Sequence, residues 1–481
     1  MRREIAQPLD VELLTGRWEE RSAGSNADRT AVANLLEQPL NDYGNGQRLI
    51  VAHGGCLRYC PAFKTWLVYT GSHWLVDRVD AARRLAQAAM LEFARQAMIS
   101  GGETASKFAG GCLNSQRITA AMREAQPHLV VNVDQLDCDP YLLNFKNGTV
   151  DLRTGEIRSH KPEDLITKLV PHCYHPDAAC PRFLKFMRRV LPRLEDYIQK
   201  ALGYSLTAVT SEKAVFVCHG GGNNGKTTLL ATVREVVGDC YAVLLQIDTL
   251  MARAADNNSQ ADLADLRGAR FVVTSETEEN QRLAEGRLKR ITQGLGRIKA
   301  VRKYENPIEF IETHKLWMDC NHKPLVRGND QALWNRLHLI PFDVTILAVE
   351  IDRELPAKLL AEAEGILAWM VEGSIRWHTE GLGKPAVVES AGAEWRSDMD
   401  QFGRFIGECC VVGDFAQAKG RAIYSAYRKW AEEVGEQPVT ETSFGNTLKE
   451  RGFTKKHTKH GVVYQGIGLA SPCDEIKGDG C

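Results

Sequence analysis

A chain of 481 residues exceeds what one ordinary hydrophobic core organises, so roughly three domains are expected. With 44% hydrophobic and 25% charged residues and no apolar run of bilayer length, the composition is that of a soluble protein and argues against a membrane span. The formal net charge of −1 excludes an overall basic attraction to nucleic acid, which leaves any such contact to local patches. The start, MRREIAQPLDVELL, lacks the apolar stretch of a secretory signal, and a cytoplasmic protein is expected. Thirteen scattered cysteines read as packed thiols rather than a disulfide framework. The densest groups are His53, Cys56 and Cys60, then His172, Cys173, His175 and Cys180. Neither has the paired C-x2-C spacing of a structural zinc site, so no zinc is expected.

Residues 1–40 are polar and without period, a flexible lead-in. Residues 41–184 read as a small α+β domain. TWLVYTGSHWLVD predicts a hairpin about Gly71 with Trp66, Val68, Trp74 and Val76 on one buried face, and a long helix follows near 79–98. Asn147-Gly148 and Thr154-Gly155 then supply the tight turns of a small meander. Asp137-Cys138-Asp139 precedes Pro140 and reads as turn or capping chemistry rather than a metal pair. Residues 185–345 alternate short apolar strands with helical segments, which predicts an α/β core with a mainly parallel sheet. Residues 346–395 predict a helical lid, with Leu359, Leu360, Ala363, Ile366, Leu367 and Met370 at helical spacing. Residues 396–470 pair a helix carrying Tyr424, Tyr427 and Trp430, expected to be core, with a shorter one carrying Phe444 and Leu448. A basic turn and strand follow, a winged-helix pattern that fits either DNA or protein, and residues 471–481 are a tail.

The chemistry concentrates in the core. AVFVC at 214–218 is an apolar strand, GGGNNGKT follows at 220–227, and Leu229, Leu230, Val233, Val236 and Val237 mark a helix that stops at Gly238. In that context Gly220, Gly222 and Gly225, with Asn224 and Thr228 alongside, let backbone N–H groups approach phosphates at a helix N-terminus. Lys226 is expected to reach the β and γ phosphates and Thr227 to hold Mg²⁺, so ATP and Mg²⁺ are the expected cofactors. A carboxylate is needed to orient the metal and polarise water. Glu276 is the first acid after the strand of ARFVVTSE, with Glu278 and Glu279 as competitors. KLWMDCN is a third strand ending at Asn321, whose amide either holds the catalytic water or forms a turn before His-Lys-Pro. In NDQALWNRLHLIPF, Arg336 is either a surface helix residue or an arginine finger.

In this order GGGNNGKT, RFVVTSETEE, LKRITQG, KLWMDCNHKP and NDQALWNRLHLIPF resemble the superfamily III helicases, above all the phage and plasmid primase-helicases of the satellite-phage and poxvirus type. NFKNGTVDLRTGEIRSHKPEDLITK resembles that family's domain before the helicase, and the tail its winged helix. The resemblance implies an AAA+-like ring, usually a hexamer, that hydrolyses ATP between subunits and moves 3′ to 5′ along one DNA strand in replication of a mobile element. It implies roles for Lys226 and Thr227 as above, Glu276 as catalytic and metal carboxylate, Asn321 as sensor and Arg336 as finger. It also implies a DNA-gripping hairpin within LKRITQGLGRIKAVRKYENP, where Lys299, Arg302 and Lys303 suit phosphates and Tyr304 a base. Lys455, Lys456 and Lys459, near His457 and His460, form a second candidate DNA contact. Two positions depart from the family: Leu295 follows Gly294 where an acid is common, and Asn335 replaces an arginine. Expected partners are single-stranded or forked DNA, further copies of the chain and a separate primase or initiator; no primase activity is expected. A DNA-stimulated NTPase switch and a non-hydrolysing ring scaffold are the competing readings.

Overall fold

The structure, a computed structural model, describes residues 34–252, 262–274, 281–294, 296–301, 307–326, 330–459 and 461–470. Residues 1–33 of the lead-in, the tail, Glu276, Glu278, Glu279, Leu295, Arg302, Lys303, Tyr304 and His460 lie outside the described residues; the end of the expected flexible lead-in does not, and Leu35 is buried in the first domain.

The first domain sets α1 (Asp42–His53), α2 (Ala81–Ser100), α3 (Gly102–Cys112) and α4 (Ser115–Ala125) against an antiparallel sheet of β1 (Leu57–Cys60), β2 (Thr65–Tyr69) and β3 (Trp74–Val76). The buried Arg48 guanidinium donates to the carbonyls of Leu35 at 3.0 Å and Pro39 at 2.9 Å and lies 3.8 Å from the Phe93 ring centroid. The hairpin forms, but its faces differ from the expectation. Tyr69 pairs with Trp74 and Leu67 with Val76, so Trp74 joins Leu67, Tyr69 and Cys60 while Trp66 and Val68 pack on the other side. Val76, at the strand end, is exposed.

A meander of β4 (Leu142–Phe145), β5 (Gly148–Asp151) and β6 (Ile157–Arg158) follows, turning at the two expected dipeptides. Asp139 accepts the Tyr141 N–H at 2.9 Å and is a turn acceptor, whereas Asp137 accepts the Thr167 N–H at 2.7 Å and ties two distant segments together.

The core comprises α5 (Pro181–Val190), α6 (Glu195–Leu206), β7 (Val215–His219), α7 (Lys226–Val237), β8 (Ala242–Leu245), β9 (Phe271–Thr274) and α8 (Glu285–Ile291). A hairpin of β10 (Arg297–Ala300) and β11 (Ile308–Ile311), then β12 (Lys315–Cys320), α9 (Gln331–Trp334) and β13 (Leu337–Pro341) complete it. Five strands form one parallel sheet in the order β13-β7-β12-β9-β8. Both faces are covered: Phe216, Phe271 and Trp317 enter one apolar cluster, and Val217, Val272 and Met318 the other. That is why these strands read as unbroken apolar runs rather than alternations.

The lid is α10 (Leu355–Leu360), α11 (Ala363–Glu380) and α12 (Ala386–Met399). Leu360 is exposed, unlike the other periodic lid residues, because the helix breaks at residues 361–362 and restarts in a new phase. The last domain runs α13 (Gln401–Cys409), β14 (Cys410–Lys419), α14 (Gly420–Glu433), α15 (Glu441–Glu450), β15 (Thr454–Thr458) and β16 (Gly461–Leu469), with the strands in the order β14-β16-β15. Tyr427 and Trp430 are buried there with Phe405 and Phe444. The borders drawn at 184/185 and 395/396 fall inside α5 and α12. The first helix buries Phe183, Phe186, Met187 and Val190 across its border, and the second buries Val388 and Trp395 before its border, with Met399 partly buried beyond it.

The lid helix α11 docks on α6 through paired glycines. A Cβ on Gly203 would lie 2.1 Å from the Ser374 nitrogen, and one on Gly373 2.1 Å from the Gln199 oxygen. Backbone cannot yield at such distances without parting the helices. Gly203→Val is therefore expected to destabilise the fold by about 1–3 kcal/mol, read as a lower urea midpoint; an unchanged midpoint would show that the crossing is looser than this.

Candidate nucleotide site and the hairpin behind it

The loop between β7 and α7 is fixed from three sides. The Gly220 N–H donates to the Cys320 carbonyl at 3.3 Å, the Phe342 N–H to the His219 carbonyl at 2.7 Å, and the Ile346 N–H to the Asn223 carbonyl at 2.8 Å. Gly225 has φ +88°, and a Cβ there would sit 2.7 Å from Val190 Cγ1 on α5. Only glycine satisfies both constraints. The Asn224 amide braces the loop from within, donating to the Gly221 carbonyl and, at 3.3 Å, to that of Phe342. Gly222 is exposed at the tip, and a side chain there would meet nothing within 4 Å.

Lys226 opens α7 and is buried. Its ammonium donates to the carbonyl of Gly220 at 2.8 Å, to Asn224 Oδ1 at 3.1 Å and to Asn321 Oδ1 at 3.0 Å. The Thr227 hydroxyl donates to Asp319 Oδ2 at 2.7 Å; Thr228 follows, half-buried, in the first turn. Asp319 and Asn321 both come from β12 and its first residue beyond, and β12 pairs directly with β7. The structure thus brings Lys226, Thr227 and Asn321 together. It adds Asp319, which sequence reasoning missed. The signal was present: Asp319 is the sole acid in the apolar run KLWMDC, two residues from Asn321 and so on the same face of the strand. Burial and the neighbouring Asp319 push the Cys218 thiol well up, which keeps it neutral beside the loop. The site therefore offers a helix N-terminus and an ammonium for an anion, with a hydroxyl–carboxylate pair next to them.

Arg336 lies elsewhere. Its carbonyl accepts the Val215 N–H at 2.8 Å, which places it at the start of β7, one strand length or about 15 Å from the loop at the strand's other end. Its guanidinium donates to the carbonyls of Thr292, at 3.3 Å, and Ala332. Asn335 is exposed beside it and accepts from Gln331 Nε2 at 2.7 Å.

The hairpin is present, but of its strands only β10 lies inside the expected segment; its partner β11 follows beyond Pro307, with Lys299 exposed and paired across to Glu309. Its foot sits at the same end of the sheet as Arg336. Gly294 donates its N–H to Glu312 Oε2 at 3.1 Å, and the Glu312 N–H closes on the Gly296 carbonyl at 2.9 Å. Glu312 is buried, and Lys315, at the start of β12, is buried with it and donates to the carbonyls of Thr207 and Thr313. Lys455, Lys456 and Lys459 are exposed on β15 and the turn after it, in the last domain.

Three family models match in succession along this architecture. Residues 46–192 match one described as D5 N terminal like, residues 218–336 a family of unknown function (DUF5906), and residues 397–466 one described as Poxvirus D5 protein-like. The two D5 models flank the phosphate-loop core in the order the fold requires. The chain is thus similar to D5-like proteins on both sides of the phosphate-loop core.

This D5-like chain is 26% identical over 329 residues to "Putative helicase L207/L206" of Acanthamoeba polyphaga mimivirus, covering 64% of this chain and 34% of that protein. It is 22% identical over 402 residues to "Putative helicase 022R" of Frog virus 3, covering 66% and 41%. It is 26% identical over 214 residues to "Putative primase C962R" of African swine fever virus, covering 43% and 22%. The chain therefore spans less than half the length of these relatives. Among solved structures, the apo structure of the NrS-1 C-terminal region (305–718) aligns with a TM-score of 0.49 at 11% identity, over 90% of this chain and all of that one.

Burial pushes the Glu312 carboxyl up to about 7, against the pull of Lys315 and Arg336. An unfolded glutamate has released its proton by then, so the folded D5-like chain holds the extra proton between about pH 4.5 and 7. Stability accordingly falls as pH rises through that window, and the loss is complete above it. Glu312→Gln should flatten this fall in a series of thermal melts from pH 5 to 8; a slope identical to the parent's would remove Glu312 as its source.

Proposed function

We propose that the chain is an ATP-driven DNA motor whose phosphate site is residues 220–227. The observation that carries this reading is the pair of contacts from β12: Asn321 on the Lys226 ammonium and Asp319 on the Thr227 hydroxyl. The loop N–H groups of Gly222 and Gly225 would cradle the phosphates, Gly220, tied to the Cys320 carbonyl, would fix the start of the loop, and Asn224 and Thr228 would complete the wall. Lys226 would meet the β and γ phosphates. The residues fit a divalent ion as well, because a threonine hydroxyl beside a buried carboxylate is an all-oxygen donor set suited to Mg²⁺. Bound there, Mg²⁺ supplies charge neutralisation of the triphosphate. Asp319 holds Thr227 in place, Glu276 is assigned to polarising water, and Asn321 orients the γ-phosphate end.

Position supports the remaining assignments. Arg336 and the β10–β11 hairpin share the end of the sheet remote from the loop, so Arg336 cannot serve its own subunit's nucleotide. A head-to-tail ring would let it act as a finger on a neighbour and would turn the hairpins toward a common channel. We read the assembly as a homohexamer that moves 3′ to 5′ on single-stranded or forked DNA during replication of a phage, plasmid or viral element, with a separate primase or initiator as partner. Lys299 with Arg302, Lys303 and Tyr304 would grip the strand, and Lys455, Lys456 and Lys459 would hold the duplex.

Lys226→Ala is expected to abolish ATP turnover and unwinding of a fork with a free 3′ tail while leaving the circular dichroism spectrum intact. ATP turnover without unwinding by the parent chain would favour a DNA-stimulated switch, and no turnover at all a ring scaffold. Mixing Arg336→Ala with Lys226→Ala subunits should restore part of the turnover, since mixed interfaces include some intact sites; no recovery at any ratio would overturn the shared site. Lys299→Ala should lower single-stranded DNA affinity and reduce its salt dependence by about one counterion, with basal turnover retained.

A further inference from the structure

A cluster far from the phosphate loop has the chemistry of a metal site. Cys173 Sγ, a ring nitrogen of His175 and a carboxylate oxygen of Glu364 all lie within 4.8 Å of one another. His175 Nε2 and Glu364 Oε2 are 3.7 Å apart. Ligands at about 2.0–2.3 Å from a tetrahedral zinc stand roughly 3.3–3.8 Å from each other, so that pair already has the required separation. Glu364 is 191 residues beyond Cys173 in the chain (364 minus 173), which is why spacing rules along the sequence did not find the group.

The geometry is held by neighbours that the metal does not need. Tyr174, between the two loop ligands, is buried and packs 5.2 Å from the Phe145 ring. Its backbone N–H donates to Asn147 Oδ1 and its carbonyl accepts from Asn147 Nδ2, both at 2.8 Å. With residue 174 turned inward and fixed, residues 173 and 175 are left at the surface side by side. On the other wall, Glu364 sits in the first turn of α11, where Gly365 lets the Ala179 backbone come close enough that a Cβ would lie 2.3 Å from its oxygen. Glu362, one turn edge away, accepts the Arg182 and Phe183 N–H groups at 3.0 Å and caps α5. Loop and helix are therefore pre-positioned rather than waiting to be gathered.

We propose that Cys173, His175 and Glu364 bind one zinc ion, with a water as fourth ligand, and that the ion staples the end of the first domain to the lid helix α11. Thiolate, imidazole and carboxylate together select zinc over Mg²⁺ or Ca²⁺, which take oxygen ligands. The site contains no residue of the phosphate loop, so it stands or falls independently of the motor assignment.

The test uses the full chain, freed of metal with EDTA and then loaded with Zn²⁺ or Co²⁺. One tightly held zinc per chain by mass spectrometry, and a cobalt form with a thiolate charge-transfer band, are expected. His175→Ala, at an exposed position, should weaken zinc binding by at least about ten-fold, and Cys173→Ser should abolish the charge-transfer band. Cys240→Ser, at an exposed thiol elsewhere, should keep both. Zinc should also raise the melting temperature of the parent but not of His175→Ala. Absence of stoichiometric zinc, or equal retention by His175→Ala and Glu364→Gln, would overturn the proposal.

Discussion

A buried carboxylate near the end of β12 and a buried ammonium at the start of α7 set the terms for the rest of the molecule. Removing such charges from water costs several kcal/mol each unless partners stand ready. Asp319 and Lys226 are tolerated because Thr227, Asn224, Asn321 and loop carbonyls meet them at hydrogen-bond distance. That requirement places β12 beside β7, and the order of the sheet follows from it. The same strand carries a buried lysine, Lys315, at its other end, next to Glu312 and the hairpin foot, and burial pushes its ammonium well below the usual lysine range. One strand of six residues thus has a polar group anchored at each end and an apolar interior, Leu316 to Met318, packed on both faces.

Much of this was legible in the sequence where local chemistry and periodicity agree. Strand, glycine loop and helix around Lys226 stand where the apolar runs and Gly238 put them, because a phosphate loop is built from contiguous residues. The hairpin β10–β11 and the Asn147-Gly148 turn are likewise local. What escaped was set by distant partners. The faces of β2 and β3 depend on a register fixed by a four-residue loop, and both faces of β2 are buried, so alternation could not assign Trp74. Asp319 looked like one more polar residue until β12 lay against β7. Leu360 fitted the helical period but falls where the lid helix breaks. Borders of domains were misplaced because composition changes gradually across α5 and α12 while packing does not.

The three stretches that match family models leave two intervals between them, residues 193–217 and 337–396. Those intervals hold α6 and α11, the helices locked together at Gly203 and Gly373. Two helices outside the matched stretches thus meet backbone to backbone. Their contact depends on shape, on the absence of two side chains, and leaves little trace in motif-like patterns.

Helix α5 closes the circuit from an unexpected side. Its first turn is capped by Glu362 from the lid, and its last turn presses Val190 and Phe186 against Gly225 in the phosphate loop. Although α5 belongs in sequence with the first domain, it is the back wall of the loop that Lys226 follows. Shortening the chain at residue 185 would therefore leave a protein whose core sequence is complete but whose glycine loop has lost its support. Recombination between relatives should meet the same obstacle: exchanging first domains is tolerated only when the incoming α5 brings side chains that fill the space behind Gly225.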